Sequence, residues 1–130
     1  MSNNKIVLDA SALLALLNEE PGHKEVEKAL PHAVISSVNL CEVVSVLTNM
    51  GISQNDAEHA ALDLLYEVVP FDQAQALLAA SLRKQTKSHG LSLGDRACLA
   101  LTKTLHATVL TADKVWAKLT ISGAHIRVIR

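Results

Sequence analysis

Five short apolar runs rich in β-branched residues recur along this chain, each separated from the next by a stretch patterned for helix. They are Ile6 to Leu8, Ala33 to Ile35, Val68 to Phe71, Thr108 to Leu110 and Ile126 to Ile129. Short continuous apolar runs of this kind are what strands buried on both faces of a parallel sheet look like. Their alternation with helices restricts the chain to an α/β architecture with right-handed crossovers. We therefore expect a three-layer α/β/α fold. At 130 residues the chain reads as a single domain over 1–130, long enough to bury roughly two thirds of its unfolded surface.

Local signals place the helices. Ser37 opens one that runs to about Asn49 and ends at Gly51. Ser53 with Asp56 forms a capping box for a helix reaching about Tyr66. Asp72 with Gln75 opens another through about Lys84, and Ser92 with Asp95 another through about Leu105. Shorter helices are expected after Ser11, Pro21 and Asp113, and Lys87 to Gly90 reads as a loose loop.

Hydrophobic residues make up 49% of the chain and aromatics only 2%, so the core must be built from Ala, Leu, Val and Ile. No aromatic platform for stacking bases is visible. Trp116, the single tryptophan, reads as core packing, and Cys41 and Cys98 read as small core residues without metal-ligand spacing. Met1 to Lys5 leads straight into the first apolar run, and no segment is long and apolar enough to span a bilayer. A cytoplasmic protein without a membrane partner is expected. The net charge of -1 conceals an asymmetry: three basic residues face eleven acidic ones before Arg83, whereas nine face two from Arg83 onward. A basic C-terminal segment suits a polyanionic substrate, although solvated helix faces would look the same.

Four carboxylates stand out against this background: Asp9 in IVLDASA, Glu42 in SSVNLCEVV, Asp95 in LSLGDRA and Asp113 in TVLTADK. Each interrupts or closes an apolar run, where an acid needs a partner to offset its burial. Taken singly, Asp9, Asp95 and Asp113 could each serve as a helix cap. Glu42 has no such role, because Val38, Cys41 and Val46 place it on or beside an apolar face. Asp9 ends the first strand and Asp113 follows the fourth. In open α/β sheets, ligands collect at the carboxyl ends of strands where the strand order reverses. Four acids converging there would repel by roughly 4 kcal/mol per close pair, a penalty that a divalent cation removes. All-oxygen ligation favours Mg²⁺ or Mn²⁺ over zinc. The chemistry such ions favour is attack of activated water on a phosphodiester.

With these acids in the settings VLDASALLALL, SSVNLCEVV, LSLGDRACLALT and LTADKVWA, the chain resembles the PIN domain, and within it the VapC-type toxins of toxin–antitoxin pairs. The resemblance runs from Ile6 to Ile129. It implies a five-stranded parallel sheet in order 3-2-1-4-5 and a metal-dependent endoribonuclease that inhibits translation until a cognate VapB-type antitoxin occludes it. Asp9, Glu42, Asp95 and Asp113 match the acidic quartet that would hold the metal and carry catalysis. Ser11 and Thr111 match the small hydroxyl positions that support it. Some relatives carry a further acid two residues after the fourth, where Val115 stands here.

Asn39, one helical turn before Glu42, is a further supporting candidate, and Arg96 could grip substrate phosphate as a forked donor. Apolar residues such as Val43, Leu47, Leu64 and Leu65 leave room for a homodimer. Two other functions remain open. A metal-independent ribonuclease would need paired histidines, but His23, His32, His59, His89, His106 and His125 are scattered. A catalytically weak binding module would use the acidic pocket to dock a basic partner segment, since bidentate arginine satisfies carboxylates well.

Overall fold

The computed structural model describes residues 4–130; Met1 to Asn3, the start of the segment read as leading into the first strand, lie outside them. Five strands, β1 (Ile6–Leu8), β2 (Ala33–Ser36), β3 (Glu67–Val69), β4 (Thr108–Thr111) and β5 (His125–Val128), form one sheet in the order β3-β2-β1-β4-β5. Every pairing is parallel, with Val7 opposite both Val34 and Val109 in the central three strands. Seven helices connect or flank the strands: α1 (Ala10–Leu17), α2 (His23–Ala29), α3 (Ser37–Asn49), α4 (Gln54–Leu62), α5 (Gln73–Ser81), α6 (Arg83–Thr86) and α7 (Leu93–Leu105). The order reverses between β1 and β4, the neighbours expected to carry Asp9 and Asp113.

Successive strand residues face opposite layers, and the core divides accordingly. Leu8, Ile35 and Leu110 pack with Leu13, Val26, Val43, Leu47 and Ala57 from α1 to α4. Val7, Val34 and Val109 pack with Cys98, Leu99 and Leu101 of α7, together with Leu82, Trp116 and Ile121. Trp116 is fully buried in that second layer, as its apolar setting implied. Cys41 is a correction: only Cys98 is buried, and Cys41 is exposed on α3. The faces offered for dimerisation are corrected too. Val43 and Leu47 are buried in the core, and Leu64 and Leu65 pack against it; the large apolar side chains left exposed in this region are Val46 on α3, Met50 just past its end and Leu62 at the end of α4.

Several boundaries differ from those read off the sequence. α3 is capped by Ser36, whose Oγ accepts from Val38 N (3.3 Å), while Ser37 is already helical and its Oγ accepts from Phe71 N (3.0 Å). α4 stops at Leu62, short of Tyr66, because the chain turns there to let Leu64 and Leu65 reach the core. The helix expected through Lys84 breaks at Leu82 into α5 and α6, and the turn after Asp113 is a 3-10 helix over Lys114–Lys118.

Candidate functional site

Asp9 leaves β1 at the point where the strand order reverses and N-caps α1, its Oδ1 accepting from Ala12 N (2.8 Å). A cap alone does not require burial, yet Asp9 is only 4% exposed. Its backbone N–H extends the β1–β4 pairing by donating to Leu110 O (3.2 Å). Ser11 Oγ donates to Oδ1 (2.7 Å), and Thr111 Oγ1, at the end of β4, donates to Oδ2. Each hydroxyl has one proton, and both are given to Asp9. The 3.4 Å separation between Ser11 Oγ and Thr111 Oγ1 is therefore a contact between oxygens rather than a hydrogen bond. The same oxygens accept from backbone on the β4 side, Ser11 Oγ from Ala112 N (2.9 Å) and Thr111 Oγ1 from Asp113 N (3.1 Å).

Burial pushes the Asp9 carboxyl up from 3.8 to about 6, against the opposing hydrogen bonds from Thr111, Ser11 and Ala12, and the negative charge of Asp95 adds to the rise. Such a group is a carboxylate short of a cation.

Glu42 lies in the second turn of α3, half-buried. Its Oε1 accepts from Asn39 Nδ2 (2.8 Å), which also donates to the Gly94 carbonyl (3.0 Å) and so ties α3 to the first turn of α7. Two acceptors fix the orientation of this amide. They leave Asn39 Oδ1 buried with no hydrogen-bond partner among the described residues.

Asp95 forms the expected capping box: Ser92 Oγ accepts from Asp95 N (3.2 Å) and Asp95 Oδ2 accepts from Ser92 N (3.0 Å). One carboxylate oxygen thus serves the cap, and Oδ1 has no such duty. Ser92→Ala is expected to cost about 1 kcal/mol in urea unfolding, because one half of the box is lost. The backbone bond that orients Asp95 survives that change.

Cys98, one turn further along α7, reports which acids share this neighbourhood. Burial pushes its thiol well above the usual range, and Asp9, Asp95 and Glu42 push in the same direction. The charges of Asp9, Glu42 and Asp95 are therefore all felt near the N-terminal half of α7. Asp113 is exposed, and its Oδ1 caps the 3-10 turn by accepting from Val115 N (3.0 Å), while its backbone N donates to the same Thr111 Oγ1 that bonds Asp9. Among the described residues, no three Asp, Glu, His or Cys side chains converge closely enough to form a ready-made metal cage.

One residue of this neighbourhood escapes a reading of the sequence. At Gly94 an added Cβ would lie 2.2 Å from Glu42 Oε2 and 2.6 Å from its Cδ, so only glycine leaves room for the Glu42 carboxylate in this position. The signal for it was a glycine inside a capping box, where helix propensity disfavours it by about 1 kcal/mol relative to Ala. Arg96 is half-buried beside Asp95, and it borders a separate recess described below.

Fold and site together define a parallel α/β domain whose switch point carries a desolvated aspartate, with further acids from the helices around it. Residues 6–121 match the PIN domain, and the chain belongs to that family. Solved structures share its architecture. A toxin–antitoxin complex from Klebsiella pneumoniae is 23% identical over 92% of this chain and 95% of that one, with a TM-score of 0.72. The DNA-bound VapBC from Salmonella typhimurium is 17% identical over 97% and 98%, with a TM-score of 0.70. VapBC-5 from Mycobacterium tuberculosis, a member of the VapBC family of toxin-antitoxin systems, is 24% identical over 97% and 99%, with a TM-score of 0.63. No curated protein matches the chain. Among the described residues, no helix is long and apolar enough to cross a membrane.

Proposed function

We propose that this PIN domain is a Mg²⁺- or Mn²⁺-dependent endoribonuclease, the VapC-type toxin of a toxin–antitoxin pair, acting in the cytoplasm and held in check by a VapB-type antitoxin. The observation that carries the reading is Asp9: it is buried, hydrogen-bonded and still pushed up to about 6. A group in that state gains most from a nearby cation.

The donor set fits a hard ion. Mg²⁺ keeps several waters and is held by one or two carboxylates plus substrate oxygens, so it needs no all-protein cage. Asp9 and Asp95 are the residues that would hold it, with Glu42 and Asp113 completing the acidic set. The orphaned Asn39 Oδ1 offers an acceptor for a water donor beside Glu42. A bound ion supplies water activation and stabilises the leaving oxygen of a phosphodiester. The protein's own contributions are separate. Ser11 and Thr111 aim both oxygens of Asp9, the capping box aims Asp95, and Asn39 holds Glu42 against α7.

RNA incubated with the purified protein should be cut in Mg²⁺ to leave 5′-phosphate ends, and EDTA should stop the reaction. Loss of groups that merely support metal ligands costs ~10–100-fold, so Asp95→Asn should cost at least that much. Mg²⁺ should also raise the melting temperature of the parent, by an amount equivalent to ~2.7 kcal/mol at one hundred times its Kd. Cleavage that survives EDTA and Asp95→Asn, or product ends carrying 2′,3′-cyclic phosphate, would rule the mechanism out.

A second reading is favoured by the lack of three converging donors among the described residues. In it the acids dock a basic segment of a partner and cleavage is weak. A protein that binds its antitoxin tightly yet never cuts RNA with any divalent metal would support this alternative.

A further inference from the structure

Between α6 and the start of α7 the chain folds around a recess of about 200 Å³ bordered by Arg83, Lys87 and Arg96, with Thr86, Gly90 and Leu91 as the remaining lining. No acid lines it. The contrast with other cations of the basic C-terminal segment is informative. Arg127 pairs with Glu25 (2.7 Å) and Arg130 with Glu20 (3.0 Å), whereas none of the three recess cations forms an ion pair with a described carboxylate. Thr86 is buried and its hydroxyl is committed to Leu82 O (2.8 Å), whereas Arg83 and Lys87 are exposed and Arg96 is half-buried. Gly90 sits at φ +69° with nothing within 4 Å of where a Cβ would be, which leaves the backbone open to close approach. Arg96 directly follows Asp95, so the recess borders the first turn of α7, the turn that carries one of the acids.

We propose that this recess is a phosphate-binding subsite, in which Arg83, Lys87 and Arg96 grip the backbone of an RNA strand next to the acids that would cut it. The inference rests on the nuclease reading for its choice of RNA. Guanidinium groups grip phosphate oxygens in pairs and an ammonium adds a point charge, a combination suited to a polyanion and indifferent to base identity. It also compensates for the missing aromatic platform: the strand is held by its phosphates instead of by stacked bases. Three like charges around one opening repel one another when the recess is empty, and a bound phosphodiester relieves that repulsion.

Binding of a fluorescent single-stranded RNA oligonucleotide to the full chain, followed by anisotropy in EDTA over a series of salt concentrations, tests this directly. The triple variant Arg83→Gln, Lys87→Gln, Arg96→Gln should bind ~10-fold or more weakly. Its slope of log K against log salt should be shallower by about 2, as expected for three lost contacts at ~0.7 each. A charge-matched control, Lys24→Gln, Lys103→Gln, Lys118→Gln, removes three cations outside the recess and should stay within ~3-fold of the parent. Unchanged melting temperatures establish that both variants are folded, and the single variant Arg83→Gln, exposed on α6, gives the same reading with a slope change of about 0.7 if the triple variant does not fold. Equal losses in the recess and control variants would overturn the proposal, as would a parent that does not bind RNA in EDTA. Binding of polyglutamate that responds to the recess substitutions while RNA binding does not would assign the recess to an acidic protein partner, and would overturn it too. Because no metal is present, RNA that binds through the recess but is never cut in Mg²⁺ leaves the subsite standing and removes the nuclease reading alone.

Discussion

At pH 8 in EDTA, Asp9→Asn is expected to melt above the parent by up to ~10 °C, while removing metal-dependent cleavage. The carboxyl is pushed up to about 6 in the folded chain, from 3.8. The folded state therefore binds this proton more tightly than the unfolded state does. The stability contributed is fully present below pH 3.8, and it is lost as the pH rises through about 6. Above that point the ionised group costs on the order of 3 kcal/mol, worth roughly 3–4 °C per kcal/mol in a domain of this length. Asparagine avoids the cost and keeps most of the geometry. It is as good an N-cap as aspartate; its Oδ1 can accept from Ala12 N and Ser11 Oγ, and Thr111 Oγ1 can rotate to accept from its Nδ2. Melting temperatures measured from pH 8 to pH 5 should rise for the parent relative to the variant, closing the gap as Asp9 protonates. Adding Mg²⁺ at pH 8 should raise the parent and leave the variant unmoved. A variant that melts lower at pH 8, with a gap that does not change with pH, would mean that Asp9 is not held ionised in an unfavourable site.

The same residue marks how far the amino-acid sequence carries. Central strands were readable because Val7, Val34 and Val109 must be buried on a sheet covered on both faces, and composition alone encodes that. β3 was displaced from Val68–Phe71 to Glu67–Val69 for a reason no single run contains. Its register is set by β2, with Glu67 opposite Val34 and Tyr66 N donating to Ala33 O (2.8 Å). Pro70 has no N–H to continue the ladder. Lys5 adds an ion pair across the edge to Glu67 (3.0 Å). N-caps at Ser53, Asp72 and Ser92 were local and came through, although the reciprocal bond of a capping box forms at Ser92 with Asp95 and not at Ser53 with Asp56. Ser36 displaced Ser37 because the choice between adjacent serines depends on where β2 ends and on Phe71, a residue far along the chain.

Among the candidate site residues, Ser11 and Thr111 both donate to Asp9, and Asn39 donates to Glu42 one helical turn away. The exposure of Asp113 was not readable. Its side chain caps a 3-10 turn by accepting from Val115 N, two residues on, and a capping acid before a short helical run looks the same in sequence whether the turn is 3-10 or α.

Gly94→Ala should keep the fold and lose the activity. The added methyl would meet Glu42 Oε2 at 2.2 Å and Oε1 at 2.7 Å, well inside any tolerable contact. Two responses are available, and their costs differ. Moving the backbones of α3 and α7 apart would disturb a packed interface between helices, at a cost typical of overpacking, about 1–3 kcal/mol. Swinging the Glu42 side chain aside breaks only its bond to Asn39 (2.8 Å) and carries the carboxylate toward solvent, to which it is already half open. The second is cheaper, and alanine is the better helix former by up to ~1 kcal/mol, which offsets part of the loss. Stability in urea should therefore change by less than about 1.5 kcal/mol. RNA cleavage in Mg²⁺ should drop at least ~10-fold if Glu42 must face the other acids, because misplacing a reactive group by about 1 Å can cost ~100-fold. The interpretation turns on a double mutant. In a Glu42→Gln background whose own activity is already low, Gly94→Ala should add little further loss, since both substitutions act through one carboxylate. Independent, multiplying losses would show that Gly94 acts through the α7 backbone or Asn39 rather than through Glu42. A fully active Gly94→Ala protein would remove Glu42 from the working site altogether.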